Sequence, residues 1–389
     1  MHKSIYLLSL GNFVLGFDAF VVAGLLPQIS SAFDISVASA GMSVAIFTLS
    51  YALSAPVFAT VLTGHSARLV LSAALSIFIA ANILSAMAPS FSILMISRAI
   101  AGAGAGLYAP FAGSSVAFLV DAARKGRALS LILGGMCLGT VLGVPIGLLV
   151  AEHLGWQWTF WTVAGFGVIA LLGILWFFPA VSPPAPPSLG QRLSLLHDRR
   201  IVGIVGVTLL VSIASLGLYT YVTAMLVDVG MASRLPFYLW AWGLGGVIGS
   251  FSIGHILDRS RRPRFVIVRV AALLAIVFAV LPLVMPLNWV GLAAFFAWGL
   301  LGWSTQAPQQ HALLEIHRDT GAAAVALNSS ANYLGSSLGA FFGGFLINAG
   351  TSAYYLPFIA AAVAMAGALL AISVAKRTVG AQTFETSRP

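Results

Sequence analysis

Two ionisable residues lie inside long apolar stretches of the sequence, where they could bind and release protons. Asp18 follows Ile5 by 13 residues within the first stretch, and Arg98 lies within a later one. In a helix, Asp18 would be roughly 20 Å along the first stretch, beyond the middle of a bilayer. An ionised carboxylate there costs at least ~2.5 kcal/mol, so it should face water or a partner. Such burial favours the protonated carboxyl group, which suits a proton carrier.

Arg98 is a basic residue that we predict inside a membrane span, at a depth within reach of Asp18. An arginine side chain keeps its proton, so Arg98 could hold Asp18 ionised until a proton or a cationic substrate replaces it. Two alternatives stay open at this point. Asp18 could be neutral and hydrogen-bonded between helices, and Arg98 could cap backbone carbonyl groups or extend towards the membrane surface.

The composition indicates a membrane protein. Of 389 residues, 60% are apolar and 7% are charged, whereas soluble domains carry roughly 25% charged residues. Apolar runs long enough to cross a bilayer recur along the whole chain, and they must be helical because lipid offers the backbone no hydrogen-bond partners. We therefore predict an all-α membrane protein with twelve spans in two six-helix halves. The predicted spans are residues 5–28, 40–62, 69–88, 91–119, 127–150, 158–178, 201–227, 236–257, 265–285, 288–312, 321–347 and 353–375.

The positions of the basic residues predict the orientation of the chain. They lie mostly in alternate loops, which by the positive-inside rule places both termini in the cytoplasm. This signal already accounts for the net charge of +9, so we expect no nucleic acid partner. A segment rich in proline and arginine divides the spans six and six and is typical of a linker. The predicted units are an N-terminal half (1–180), a cytoplasmic linker (181–200), a C-terminal half (201–375) and a cytoplasmic tail (376–389).

The two halves share a pattern of glycines. Duplicated halves with a substrate site between them at the midplane are a recurring design among transporters. Glycines at four-residue spacing also let helices pack closely, so the pattern alone has a purely structural explanation. The glycines are Gly139, Gly143 and Gly147 in the fifth span and Gly335, Gly339 and Gly343 in the eleventh.

Polar and aromatic side chains on several spans could line a substrate cavity. Apolar walls with a few polar groups fit an amphipathic or aromatic ligand. The amides are the better candidates because an amide that faces lipid is costly, whereas each aromatic side chain could equally face lipid or pack between helices. The candidates are Asn12, Tyr219, Tyr221, Trp298, Gln306, Asn328 and Asn332.

Other kinds of chemistry have little support in the sequence. It contains no nucleophile–base constellation, no metal-ligand spacing and no phosphate-binding Gly-x-x-x-x-Gly-Lys loop. Its single cysteine, Cys137, allows neither an intrachain disulfide nor a cysteine metal site. We therefore expect no enzyme activity, no cofactor, no bound metal and no ATP-driven step.

Motifs in the fourth and fifth spans resemble those of the major facilitator superfamily. Leu94, Arg98 and Gly102 are spaced as in the motif of its fourth helix, although Ala101 stands where a glutamine is usual. Residues 134–147 resemble the fifth-helix motif of its drug–proton antiporters. The resemblance implies a bend at the interface between the halves, shaped by Gly139, Gly143, Pro145 and Gly147.

A loop motif and the first span extend the resemblance over nearly the whole chain. Asp258, Arg259 and Arg262 are similar to the loop motif after the eighth helix, whereas the copy after the second span lacks an acidic residue. The resemblance implies that these residues pair across a cytoplasmic gate, although each arginine could equally be an orientation signal. From its position at the inner end of the fourth span, Asp121 could receive one of the loop arginines. Residues 16–27 resemble the first helix of bacterial exporters for chloramphenicol, arabinose and related molecules.

The sequence as a whole predicts a monomeric exporter in the bacterial inner membrane. It would exchange protons for a small amphipathic or drug-like molecule by alternating access. The alternatives are export of a sugar or a nucleoside, and a facilitator that is independent of protons. Asp18 distinguishes coupled from uncoupled transport, because a coupled exporter needs a titratable group that both the proton and the substrate sense.

Overall fold

The computed structural model describes residues 3–61, 65–121, 124–179, 190, 194–260, 265–316 and 321–386, and most of them are helical. Most of the predicted linker lies outside this part of the chain. The helices of the N-terminal half are α1 (Lys3–Phe33), α2 (Val37–Val61), α3 (Ala67–Ala86), α4 (Phe91–Leu119), α5 (Lys125–Leu138), α6 (Val144–Leu154) and α7 (Trp156–Phe177). Those of the C-terminal half are α8 (Arg199–Thr220), α9 (Val222–Asp228), α10 (Leu235–Arg259), α11 (Val266–Val284), α12 (Asn288–Trp303), α13 (Gln306–Ile316), α14 (Gly321–Asn348) and α15 (Leu356–Thr386).

Each of the twelve predicted spans coincides with one helix or with two helices that continue one another. The interrupted spans are α5–α6, α8–α9 and α12–α13. Within the described residues, nine helical segments are individually long and apolar enough to cross a membrane. The other three spans are α10, α12–α13 and α14, which carry glycines, polar amides or an interruption.

The ends of the helices follow local side-chain chemistry. The hydroxyl groups of Ser66 and Ser90 accept hydrogen bonds from backbone N–H groups in the first turns of α3 and α4. The first helix runs five residues past its predicted end at 28 and stops at Phe33. Asp34 follows with a φ of 51°, the left-handed conformation in which many helices end. The last helix continues through Thr386, so part of the predicted tail is helical.

The glycine stripes occupy equivalent places in the two halves. Gly139 lies against the backbone of Phe13 in α1, and Gly339 lies against Gly217 in α8. A methyl group at either stripe position would overlap backbone atoms of the neighbouring helix. The fifth span therefore packs on the first, and the eleventh span packs on the seventh, through the same close contact within each half.

Hydrogen bonds join the halves near the end of the bundle at which α1 stops, here called the Phe33 end. Beside it, the Ser36 hydroxyl donates to Oδ1 of Asn348 across 2.8 Å. Near the middle of α2 and α14, the rings of Tyr51 and Tyr333 stack with centroids 3.6 Å apart. The halves are therefore in contact from the Phe33 end to about the middle of the bundle.

Candidate functional site

A buried ion pair joins α1 to α4. Nη1 of Arg98 lies 2.8 Å from Oδ1 and 3.0 Å from Oδ2 of Asp18. The side chain of Asp18 is 0% exposed and that of Arg98 is 1% exposed. The prediction that these two residues lie within reach of each other is confirmed, and the pair is sealed from solvent inside the N-terminal half.

Two aromatic rings and an amide surround the ion pair. Cζ of Arg98 lies 4.4 Å from the ring centroid of Phe47 and 5.4 Å from that of Phe160, close enough for cation–π attraction. Asn82 of α3 is fully buried beside the carboxyl group of Asp18. In such a dry site, removing one member of the pair leaves an uncompensated charge, which costs about 3–5 kcal/mol.

Two polar atoms at this site have no hydrogen-bond partner among the described residues. They are Nε of Arg98 and Oδ1 of Asn82. The amide group of Asn82 uses its nitrogen to donate to the backbone oxygen of Phe78 across 2.9 Å, which leaves Oδ1 as an unused acceptor. A buried polar atom without a partner is costly. The site therefore holds one unused donor, on Arg98, and one unused acceptor, on Asn82.

Glycines let the helices around the ion pair approach closely. Gly16 of α1 lies against the backbone oxygen of Met136 in α5. Gly102 of α4 lies against the backbone of Phe47 in α2. A methyl group at either glycine would overlap these backbone atoms, so the positions of α1 and α4 are fixed by direct backbone contact.

The helix that carries Asp18 also contacts the C-terminal half. Tyr219 of α8 donates from its hydroxyl group to the backbone oxygen of Phe20 across 3.3 Å. Thr223 of α9 donates to the backbone oxygen of Ala23 across 2.9 Å. One stretch of α1 therefore holds both the buried carboxyl group and two hydrogen bonds between the halves.

Phe20 also inserts its ring among three aromatic side chains of the C-terminal half, Tyr219, Trp242 and Trp303, here called the aromatic box. The centroid of the Phe20 ring lies 5.5, 5.6 and 5.7 Å from those of the three, in that order. Trp298 packs behind the box, 6.2 Å from Trp242, and its Nε1 donates to a serine hydroxyl group. Of the predicted cavity residues, Tyr219 thus lines the box and Trp298 supports it.

A second polar cluster, here called the amide ladder, lies within the C-terminal half. Oδ1 of Asn332 accepts hydrogen bonds from the Ser212 hydroxyl group across 2.6 Å and from Nε2 of Gln306 across 2.7 Å. These residues come from α14, α8 and α13 respectively. The ladder therefore links three spans through side chains alone.

The next rung of the ladder is built in the same way. The Thr208 hydroxyl group lies 2.6 Å from Oε1 of Gln309 and 2.5 Å from Oδ1 of Asn328. The amide nitrogens of Gln309 and Asn328 have no partner among the described residues. The structure thus brings together the predicted amides Gln306, Asn328 and Asn332. Sequence analysis missed Thr208, Ser212 and Gln309, although the four-residue spacing of Thr208 and Ser212 matches that of the two asparagines.

Two other predicted cavity residues lie apart from both clusters. Asn12 donates from Nδ2 to the backbone oxygen of Leu8 in its own helix across 3.2 Å. Tyr221 is fully buried, and its hydroxyl group donates to the backbone oxygen of Ala340 across 2.6 Å. Its ring packs against Gly343 of α14. Tyr221 therefore fills the contact between helices near the Phe33 end.

The fifth span changes its helical type where the resemblance predicts a bend. Gly139–Gly143 form a π-helical turn between α5 and α6, and Pro145 follows in the first turn of α6. Turns of this kind are frequent at functional sites. Gly143 and Gly147 face the Phe17 ring of α1, so the glycines of the motif contact their own half.

The opposite face of this span meets the C-terminal half. Val141 lies against Gly243 of α10. The thiol group of Cys137 lies close to the Ser250 side chain of the same helix. The fifth span is therefore packed between α1 and α10, with its glycines towards α1 and larger side chains towards the second half.

The predicted gate residues lie at the surface. Asp121, Asp258 and Arg259 are exposed, and no ion pair between described residues involves any of them. Arg262 lies outside the described residues. The cytoplasmic gate therefore stays a prediction.

Comparison with known proteins identifies the family. A model of the Major Facilitator Superfamily matches residues 8–317. The chain therefore belongs to this superfamily, and it is a multi-pass membrane transporter rather than an enzyme. The family resemblance inferred from the motifs is confirmed.

Several relatives match the chain over most of its length. It is 28% identical to "Inner membrane transport protein YdhP" of Escherichia coli (strain K12) over 378 residues, which cover 95% of each chain. It is 30% identical to a "Chloramphenicol resistance protein" of Streptomyces lividans over 67% of this chain and 68% of the relative. It is 26% identical to a "Probable sugar efflux transporter" of Helicobacter pylori (strain G27) over 88% of each.

A solved structure has the same fold. The crystal structure of a D-xylose–proton symporter superposes with a TM-score of 0.77, and the match covers 94% of this chain and 96% of the symporter. The sequence identity is 16%, so this likeness concerns the fold alone. It agrees with the predicted arrangement of two six-helix halves.

Proposed function

We propose that the protein exports a small amphipathic or drug-like molecule in exchange for protons, by alternating access. The observation that carries the proposal is the sealed Asp18–Arg98 pair, in which the carboxylate accepts two contacts from one guanidinium nitrogen. A buried carboxyl group with one cationic partner can exist in two states, ionised and paired or protonated and released. Such a two-state group is what proton coupling requires.

Protonation of Asp18 would remove the charge that holds Arg98. The guanidinium group would then turn towards another acceptor, and Oδ1 of Asn82 is the unused acceptor beside the carboxyl group. This rearrangement would loosen α1 from α4. Because α1 also accepts the hydrogen bonds from Tyr219 and Thr223, its movement would reach the contact between the halves.

We assign the Lys3 end of α1 to the cytoplasm and the Phe33 end to the outer side, in the bacterial inner membrane. The basic loops support this orientation through the positive-inside rule, and both termini are then cytoplasmic. The hydrogen bonds between the halves near the Phe33 end then correspond to a transporter closed to the outside. In that state the substrate site would open towards the cytoplasm, where an exporter loads its substrate.

A sugar or another polyhydroxylated molecule is the second candidate substrate. The amide ladder favours it, because the amide nitrogens of Gln309 and Asn328 are buried donors without a partner among the described residues. A ligand hydroxyl group could satisfy such donors. The name of the Helicobacter pylori relative points in the same direction.

Uphill transport into everted membrane vesicles tests the proposal against an uncoupled facilitator. Vesicles that contain the protein should accumulate radiolabelled substrate above the external concentration when energised, and an uncoupler should abolish the accumulation. Equilibration to equal concentrations, unaffected by the uncoupler, would identify a facilitator. Chloramphenicol, ethidium, arabinose and a purine nucleoside form the substrate panel.

A further inference from the structure

We propose that the aromatic box is the subsite for a planar aromatic group of the substrate, and that the Phe20 ring competes with this group for the subsite. The inference rests on the proposed export function and adds a substrate class to it. The class is a neutral molecule with one planar ring and at least one hydrogen-bond acceptor on or beside that ring.

The geometry of the box is that of a ring-binding site. Tyr219, Trp242 and Trp303 surround the Phe20 ring at centroid distances of 5.5–5.7 Å, within the range of favourable aromatic pairs. The three walls belong to one half of the protein, and the ring between them belongs to the other half. Phe20 is therefore bound by the C-terminal half as a ligand ring would be.

Two walls of the box are also held by contacts that do not involve Phe20. Gly246 leaves room for the Trp303 indole, which lies flat against it, and Gly299 lies against the backbone of Trp242. A methyl group at either glycine would overlap these atoms. A substrate ring that replaced Phe20 would thus enter a site whose walls are already formed, which reduces the ordering cost of binding.

We infer the polar part of the ligand from two unpaired donors in the walls. Nε1 of Trp242 and Nε1 of Trp303 are buried and have no partner among the described residues. By contrast, Nε1 of Trp298 donates to the Ser215 hydroxyl group across 2.9 Å. The Phe20 ring offers no oxygen or nitrogen acceptor to either indole. A ligand with a carbonyl, nitro or hydroxyl oxygen would satisfy a donor that Phe20 leaves unpaired.

Equilibrium binding to the purified, detergent-solubilised protein tests the inference without any proton gradient. The probes are radiolabelled chloramphenicol and adenosine, which carry planar rings with acceptors, and arabinose, which has no ring of this kind. Saturable binding of at least one aromatic probe is expected. Trp242→Phe and Trp303→Phe keep an aromatic wall but remove the donor, so at least one of them should weaken that binding about tenfold.

Phe20→Leu gives the opposite expectation. The substitution nearly conserves volume but removes the competing ring, so the affinity for the aromatic probe should rise about fivefold. Trp289→Phe is the matched control, because Trp289 is 81% exposed and lies outside the box. The Trp289→Phe variant should bind the aromatic probe with the same affinity as the unmodified protein.

The inference is overturned if neither aromatic probe binds saturably to folded protein. It is also overturned if both box variants bind like the Trp289→Phe control, or if Phe20→Leu weakens binding. Failure of the proposed function looks different. Binding of an aromatic probe without proton-coupled transport would support the aromatic subsite and contradict proton coupling. Coupled export of arabinose alone would support proton coupling and contradict the aromatic subsite.

Discussion

Thr223 of α9 donates a hydrogen bond of 2.9 Å to the backbone oxygen of Ala23, which follows Asp18 by five residues in α1. The bond crosses from the C-terminal to the N-terminal half near the Phe33 end. Helix α1 therefore carries the buried carboxyl group of Asp18 and also accepts a hydrogen bond from the other half. A change at Asp18 has a direct physical route to the contact between the halves.

Thr223→Val should weaken the closed arrangement at the Phe33 end. The substitution keeps the branched shape and removes the hydroxyl donor, which is worth about 0.6–1 kcal/mol in a membrane protein. The population open at that end should therefore rise about threefold to fivefold. The alkylation rate of Ala38→Cys in a Cys137→Ser background measures this opening, because Ala38 is buried where α2 lies against Gly344 of α14. An unchanged rate would show that the Thr223 bond does not hold the halves together.

Asp18→Asn should destabilise the protein, and adding Arg98→Met should restore most of that stability. The single substitution leaves Arg98 buried without a counter-charge, at a cost of about 3–5 kcal/mol. The double substitution removes both charges, and such replacements are often neutral. Thermal unfolding in detergent measures both variants. Equal melting temperatures for the single variant and the unmodified protein would contradict the buried pair.

Asn82→Leu should slow coupled transport while substrate binding stays intact. The leucine has a similar volume but lacks the oxygen that would receive Arg98 after Asp18 is protonated. We expect a roughly tenfold loss of transport rate, the effect of one hydrogen bond to a charged group. Asn12→Leu is the control, because Asn12 bonds only within its own helix among the described residues. Equal losses in the two variants would remove Asn82 from the mechanism.

Gly139→Ala should be destabilising and Gly134→Ala should not. A methyl group at Gly139 would overlap the backbone of Phe13, whereas nothing lies within 4 Å of the corresponding position at Gly134. Alanine also favours a helix over glycine by about 1 kcal/mol, so Gly134→Ala should be neutral or stabilising. Melting temperatures and expression levels of the two variants provide the comparison. Tolerance of alanine at Gly139 would mean that the first and fifth spans can separate.

The spans and the ion pair could be predicted because their signals are local. An apolar run of membrane length can only be a helix, and a charged residue inside one stands out against its neighbours. Asp18 and Arg98 were identified in this way, and the structure joins them. The amides of the ladder stand out for the same reason, since Asn328 and Asn332 are polar residues in an apolar span.

The aromatic and hydroxyl residues carry no such signal. A tryptophan such as Trp242 is compatible in the sequence with a position facing lipid or a position facing another helix. Its position is determined by how the helices pack. Tyr221 was predicted in the cavity as one of the aromatic side chains of the seventh span, but its hydroxyl group is bonded to a backbone oxygen near the Phe33 end. Thr208 was missed because a threonine can satisfy itself by bonding to its own helix, and so does not need a partner elsewhere.

Proton movement on substrate addition is the sharpest test of whether Asp18 couples transport to protons. Proteoliposomes with a preformed pH gradient and a pH-sensitive dye would contain the unmodified protein, Asp18→Glu, or the Asp18→Asn/Arg98→Met double variant, each checked for folding. We expect substrate to collapse the gradient with the unmodified protein, to do so more weakly with Asp18→Glu, and not to do so with the double variant. Substrate-dependent collapse of equal rate in the double variant would show that protons travel without Asp18, and the proposed coupling would be wrong.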